Sequence, residues 1–293
     1  MNESENVKRI AVFPNPDKDP DFSYTKEVVR ILNGAGIKVC IDRRYHYSVG
    51  EKPGMVEYYT YIEELLSSSD FVVVLGGDGT ILDICERAAL HELPIVGVNL
   101  GHLGFLATVE SDNLEELAKL ATEEYFVDER MMMEIQIRDG SIIRELCALN
   151  DLVVSSSVGA KIADFKICCD GNTALNLKAD GIIIATPTGS TAYSLSAGGP
   201  IIDTSTETFC VTPICPHSFA SRPIVFSGNS SLTIQGETQS NQTDICVCAD
   251  GKEVFKVSKD AMVEVIKSDL KTRLVRIGSN RFYDIISTKM FGR

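Results

Sequence analysis

The sequence predicts an α/β protein: an N-terminal domain on a parallel sheet covered by helices, a β-rich C-terminal domain, and a final helix packing back on the first domain. Two patterns carry this reading. Up to Leu106, short apolar runs alternate with helical periodicity, which calls for a parallel sheet with crossover helices. Beyond Leu106, strand-like runs follow one another at short intervals with hairpin-type turns between them. The length of 293 residues suits about two domains with cores of their own. The expected domains are 1–106 plus 279–293, and 107–278.

Lys8 to Phe13 reads as the first strand. Val28, Val29, Ile31 and Leu32 then recur at helical spacing before Gly34 and Gly36. Ile37 to Ile41 is a second strand, and Arg43 to Val56 is the most linker-like stretch. Tyr58, Ile62, Leu65 and Leu66 fall at offsets 0, 4, 7 and 8 and are expected on one helix face. Phe71 to Leu75 follows as a buried strand, Thr80 to His91 as a helix and Ile95 to Val98 as a strand. In the second half, Leu114 to Glu123 reads as a short helix, and Met133 to Arg138 alternates strictly up to the turn Asp139-Gly140. Asp170-Gly171 and Asp250-Gly251 are two more hairpin turns, and Val254 to Lys267 is rich in β-branched residues. Phe282, Ile285, Ile286 and Met290, at offsets 0, 3, 4 and 8, mark the last helix.

Composition narrows the function. The chain is 44% hydrophobic and 24% charged, and its 28 Lys and Arg against 41 Asp and Glu give −13. Nucleic-acid binders present basic surfaces, so nucleic acid is not an expected partner. No run approaches the 18 apolar residues of a membrane span, and the first residues carry Glu3, Glu5, Lys8 and Arg9. The expectation is a cytoplasmic protein without a membrane partner. Nine scattered cysteines with no CxxC pair read as reduced thiols, and the four His and nine Cys show no metal-ligand spacing.

Chemistry concentrates at punctuating positions. Gly76-Gly77-Asp78-Gly79-Thr80 joins a buried strand to a helix. Glycines permit positive φ and close backbone approach, and a helix start offers free N–H groups, so Gly76, Gly77, Gly79 and Thr80 read as a phosphate-binding loop. A structural turn alone needs fewer glycines. A carboxylate such as Asp78 among anion-attracting groups calls for a proton to take, a metal to hold or a hydroxyl to meet, which points to an enzyme. Neither GxGxxG nor GxxxxGK occurs. Asn99 to Leu106 holds two glycines for a second close approach, and Asn150-Asp151 sets an amide beside a carboxylate. The segment 179–200 is a buried strand, a hydroxyl-rich turn and a short helix; its Ser and Thr residues suit ligand contacts or helix capping, and Tyr193 offers a ring face.

Together these segments resemble the NAD kinase family: GGDGT at 76–80, NLGHLGFL at 99–106, Asn150-Asp151, ADG with TPTGSTAYSLSAGGP at 179–200, and PICPHSFASRPIVF at 213–226, in the family's order. The resemblance implies phosphorylation of the 2′-hydroxyl of the adenosine ribose of NAD by ATP, with Mg²⁺ carried mainly by substrate phosphates. It places the active site between the two domains. It implies Asp78 as general base, with Asp78 and Gly79 at the dinucleotide. Asn150 and Asp151 match the pair that holds the adenine and nicotinamide ends. Thr188, Thr191, Ala192, Tyr193, Ser194, Leu195 and Ser196 match the lining of the dinucleotide site. Asp180 matches a carboxylate that reaches adenine in a neighbouring subunit, which implies a homodimer or homotetramer. Lys161 and Lys178 match basic positions that offset the pyrophosphate charge, and Cys215 and His217 match positions near the site. Asp151 stands where Glu is usual and Lys252 where Gln is common. His102 falls at a variable position, and His46 and His91 read as structural. Two other readings use the same residues: a lipid kinase of the diacylglycerol or sphingosine type, sharing GGDGT, and a non-catalytic dinucleotide sensor, which has no use for Asp78.

Overall fold

A computed structural model of the chain describes residues 7–50, 56–101, 104–156, 162–218, 221–238, 244–278 and 282–291. The chain divides into two compact units, Met1–Glu129 with Thr272–Arg293, and Arg130–Lys271.

Unit 1 begins with β1 (Arg9–Pro14), α1 (Ser23–Gly34), β2 (Lys38–Asp42), α2 (His46–Val49) and β3 (Val56–Tyr59). It continues with α3 (Ile62–Ser67), β4 (Phe71–Gly76), α4 (Asp78–Leu90), β5 (Ile95–Asn99), β6 (Val109–Glu110) and α5 (Lys119–Thr122). The strands pair in the order β3-β2-β1-β4-β5, all parallel. Every residue of β4 is buried, as expected for a central strand covered on both faces, and this is why its sequence is a continuous apolar run. Tyr58 departs from the expected helix face: it belongs to β3 and pairs with Ile41. A strand residue four places before a helix imitated the helical spacing. The stretch expected as one helix from Leu114 is a 3₁₀ turn (Leu114–Ala118) leading into α5. Leu114, Leu117 and Leu120 pack into the core around Val28, Leu32 and Val39, so the chain stays in unit 1 well beyond Leu106.

Unit 2 carries most of β7 (Tyr125–Asp139), then β8 (Ile142–Ala148), β9 (Asp151–Ser156), β10 (Ala163–Cys169), β11 (Asn172–Ala179) and β12 (Gly181–Ala185). After a 3₁₀ turn (Gly189–Thr191) come α6 (Tyr193–Ser196), β13 (Thr208–Ile214), β14 (Ile224–Ser227), β15 (Leu232–Thr238), β16 (Ile245–Ala249) and β17 (Val254–Val257). One antiparallel sheet runs β14-β13-β12-β9-β16-β17. Hairpins β7-β8 and β10-β11 and strand β15 supply the facing layer. Alternate residues of both layers, among them Met133, Phe165 and Ile234 against Val154, Ile182 and Phe209, fill one core. In β12 the intervening Ile183 and Ala185 are buried too, under Ala197 and Ile202, which explains its unbroken apolar sequence. Asp170-Gly171 and Asp250-Gly251 each have positive φ at both residues, the geometry of tight hairpin turns.

The last strand, β18 (Met262–Ile277), pairs with β15 in unit 2 and then sets Leu274 parallel to Ile95 in unit 1. The chain ends in α7 (Phe282–Phe291), whose Lys289 ammonium stands 4.2 Å from the Phe105 ring centroid. No described helix is long and apolar enough to cross a membrane.

Candidate active site

Gly77 caps α4 in extended conformation, and Asp78 is the first residue of that helix. None of Gly76, Gly77 and Gly79 has positive φ, so conformational freedom is not what the turn takes from them. It takes room. A Cβ on Gly76 would lie 2.6 Å from Thr80 Cβ, and one on Gly77 would lie 2.6 Å from Lys18 Nζ. Gly79 faces open space. Thr80 is held in place by Asn15, whose Nδ2 donates to its hydroxyl at 2.9 Å.

The Asp78 carboxylate reaches across to the segment after β5. Its Oδ2 accepts the Phe105 N–H at 2.8 Å, and Oδ1 accepts Leu106 N–H at 3.1 Å and Ala107 N–H at 3.4 Å. This approach requires Gly104, where a Cβ would stand 2.7 Å from Asp78 Cγ. The Phe105 carbonyl is tied in turn to Arg276 Nη2 at 3.4 Å, while Arg276 Nε donates to Asp128 at 3.2 Å. A helix start favours a negative side chain, and Oδ2, with one of these bonds, keeps a lone pair for a hydroxyl donor. Asp78 is thus oriented by three backbone donors and half-buried, with its carboxylate not fully enclosed.

Unit 2 builds its polar cluster with side chains. The Asp250 carboxylate accepts Leu149 and Asn150 N–H at 2.8 Å each and Asp151 N–H at 3.1 Å. The Thr186 hydroxyl donates to Leu149 O at 2.5 Å and accepts Gly189 N–H at 3.1 Å. Gly189 packs so closely on the Asn150 carbonyl that a Cβ there would overlap it. Asp151 is only 6% exposed; its carboxylate accepts the Tyr193 N–H, while burial and the nearby Asp250 carboxylate push its pKa up to about 7. Burial raises the Asp250 pKa as well, against the pull of its three N–H donors.

The hydroxyls of the 186–196 segment divide. Thr186, Ser190 and Ser194 are wholly buried and bonded internally: Ser190 donates to Pro187 O at 2.6 Å and accepts Ile202 N–H at 3.0 Å, and Ser194 meets the Thr212 hydroxyl at 2.9 Å. Thr188 accepts from the buried Arg130 at 3.3 Å, and Thr191 donates to Thr188 O at 3.2 Å. Ala192 and Leu195 are half-buried, whereas Tyr193, 47% exposed, and Ser196 face outward. Neither the 3₁₀ turn nor α6 has a side-chain cap, so the buried hydroxyls bond the surrounding backbone and Thr212 rather than cap a helix, while the Ser196 side chain stays at the surface.

Asn150 lies against Gly189, next to Thr188, and Asp151 meets Tyr193, next to Ser194, whereas Lys178 and His217 line a cavity of about 670 Å³ together with Lys166, Lys259, Asp164 and Glu237. Lys178 pairs with Asp164 at 3.5 Å and its carbonyl accepts the His217 N–H at 2.8 Å. Asp180 is half-buried and joined to Ile214 and Ser156 through its backbone. Cys215 is exposed at a φ of 46°. Lys161 and His102 lie outside the described residues. Among the described residues no three His, Cys, Asp or Glu side chains are grouped as metal ligands. Sequence reasoning missed Asn15, Lys18, Arg130, Asp250 and Arg276. For Asp250 the signal was in view, since Asp-Gly marked the turn but not the carboxylate's second duty.

Comparison with known proteins places these features. Residues 10–125 match the ATP-NAD kinase N-terminal domain and residues 149–277 the ATP-NAD kinase C-terminal domain. The NAD kinase of Caldanaerobacter subterraneus subsp. tengcongensis is 36% identical over 289 residues, covering 98% of this chain and 100% of the relative. That of Thermoanaerobacter sp. strain X514 is 37% identical with the same coverage. Among solved structures, yeast NADH kinase complexed with NADH is similar with TM-score 0.85 over 99% of this chain and 89% of that one; at 23% identity it speaks to the fold alone. An NAD kinase from Archaeoglobus fulgidus in complex with ATP has TM-score 0.70 and 28% identity, covering 97% of each chain. Two domain matches in chain order and relatives above one-third identity, aligned almost end to end, make this chain a member of the NAD kinase family.

Proposed function

We propose that this chain is an NAD kinase that transfers the terminal phosphoryl group of ATP to the 2′-hydroxyl of the adenosine ribose of NAD, giving NADP and ADP. The observation that carries the reading is Asp78: a carboxylate at a helix start, aimed by three backbone N–H groups and with a free lone pair on Oδ2. Phosphoryl transfer asks mainly for positioning and charge stabilisation. Asp78 accepts the hydroxyl proton as the ribose oxygen bonds to the γ-phosphorus and the bond from that phosphorus to the bridging oxygen of ADP breaks; the proton then passes to solvent. Mg²⁺ enters on the phosphates of ATP, as part of the donor. The backbone of Gly76, Gly77 and Gly79, with Thr80, receives phosphate oxygens.

Asn150 and Asp151 hold the dinucleotide's polar ends, and the outward-facing Tyr193 and Ser196 meet its rings and hydroxyls. Thr188, Thr191, Ala192, Ser194 and Leu195 shape that wall from behind. Lys161 and Lys178 offset pyrophosphate charge, with Cys215 and His217 close by. Asp180 serves the adenine of a neighbouring subunit in a homodimer or homotetramer, a reading supported by the exposed Ile224 and Val225 on β14, an edge strand. A cytoplasmic setting suits the nine cysteines, all free thiols.

The test is NADP formation from NAD, ATP and Mg²⁺, read through an NADP-specific dehydrogenase, for the parent and Asp78→Asn. The expected result is turnover that falls by at least about 10²-fold in the variant, the scale of general-base catalysis, with NAD binding kept. NAD binding without turnover on any phosphoryl donor would turn the reading to a sensor, and phosphorylation of diacylglycerol or sphingosine instead of NAD would turn it to a lipid kinase.

A further inference from the structure

The order β3-β2-β1-β4-β5 puts β1 and β4 side by side, with β1 leading on to β2 on one side and β4 to β5 on the other. Connections that leave two adjacent parallel strands in opposite directions open a crevice at their carboxyl ends, where ligands of doubly wound sheets bind. The turn after β4 is Gly77-Asp78, and the turn after β1 is 15–19, which holds Lys18. The Lys18 turn is pinned at both ends. Asn15 N–H donates to Leu75 O at 3.0 Å, and its Nδ2 donates to Thr80. Its carbonyl accepts Lys18 and Asp19 N–H at 3.0 and 2.9 Å. The carboxylate of the buried Asp19 accepts Thr25 N–H at 2.9 Å and the Thr25 hydroxyl at 2.6 Å, fixing the turn to α1.

From this anchored turn the Lys18 side chain reaches across the crevice. Nζ lies 2.6 Å from where a Gly77 Cβ would be and 3.7 Å from the corresponding point on Gly101. Among the described residues no carboxylate or carbonyl bonds this ammonium. An ordinary surface lysine extends into water; this one is laid against two glycine backbones beside the first N–H groups of α4, which have no acceptor within the helix. Those groups give partial positive charge, and Lys18 adds a full one where Asp78 and a net charge of −13 oppose a polyanion.

We propose that Lys18 is a catalytic residue that binds the terminal phosphates of the donor's phosphoanhydride chain, whether that chain belongs to ATP or to inorganic polyphosphate. The proposal rests on the kinase reading above and adds the residue that grips the donor. Lys18→Met keeps length and removes charge, and Lys18→Arg restores charge; being exposed, neither change disturbs the core, and thermal unfolding checks this. With ATP varied and then with polyphosphate varied, Lys18→Met is expected to raise the donor KM at least about tenfold, the worth of one charge-assisted hydrogen bond, while the NAD KM stays within about twofold and Lys18→Arg recovers most of the loss. The donor that shows the effect is the one Lys18 serves. An unchanged donor KM in Lys18→Met with both donors overturns the proposal. Should the parent make no NADP, the kinase reading fails separately, and calorimetric titration with a non-hydrolysable ATP analogue then decides for Lys18: at least about tenfold weaker binding in Lys18→Met supports it, and equal binding overturns it.

Discussion

In unit 1 the turn around Asp78 is shaped by side chains that are missing, whereas in unit 2 the turn around Asn150 is shaped by side chains that are buried. Gly76, Gly77 and Gly104 leave space that Thr80, Lys18 and Asp78 fill. In unit 2, Asp250 and Thr186 occupy the interior themselves, and a carboxylate there carries a desolvation cost that its three N–H donors only partly offset. The first kind of site fails by collision and the second by orphaned hydrogen bonds.

That contrast orders the expected effects. Gly104→Ala, which drives a Cβ into the Asp78 carboxylate, should cost more than about 3 kcal/mol in urea unfolding or, if the loop yields, abolish turnover by moving Asp78. Asp250→Ala leaves three backbone N–H groups without their acceptor and should cost about 2–3 kcal/mol, since the relief of one buried carboxylate returns part of the loss. A cost larger than that of Gly104→Ala would break the comparison.

Asp151→Asn should act in the opposite direction. Native Asp151 keeps its proton to about pH 7, whereas the unfolded chain releases it near the ordinary 3.8, so stability falls as pH rises through that interval. The variant, whose amide oxygen still accepts the Tyr193 N–H, should gain on the order of 1–2 kcal/mol over the parent at about pH 8 and nothing near pH 4, read from unfolding midpoints. Thr186→Val is the smallest: about 1 kcal/mol for the Leu149 and Gly189 bonds, softened by conserved shape. Comparing it with Asp250→Ala shows whether hydroxyl or carboxylate holds the Asn150 turn.

The sequence carried more of unit 1 than of unit 2. Strand–helix alternation marked β1, β2, β4 and β5 because a central parallel strand must be apolar throughout and its crossover helix amphipathic. Gly-Gly-Asp-Gly exposed the turn after β4, and of the two reasons expected for its glycines positive φ does not hold, whereas Gly76 and Gly77 do let other groups come close: local sequence reports that a side chain is absent, while what fills its place comes from elsewhere. Lys18 and Gly77 are 59 residues apart, and Asp250 meets Asn150 across 100 residues. Such partners have no local signature. Tyr58 failed for a related reason, since periodicity cannot see a strand that ends just before a helix.

One feature of the chain's path sets an order in time. Unit 1 closes its core with Val275 and Ile277, which follow all of unit 2 in the sequence. A ribosome adding about 5–20 residues per second needs roughly 7–28 s for the 142 residues from Arg130 to Lys271. Throughout that interval β5 waits for the strand that carries Leu274, while every residue of the unit 2 core is added to the chain. In chain order the last core residue of the inserted unit, Val265, precedes Val275 and Ile277, so the unit that holds β1 is the later of the two to have its full set of core residues made.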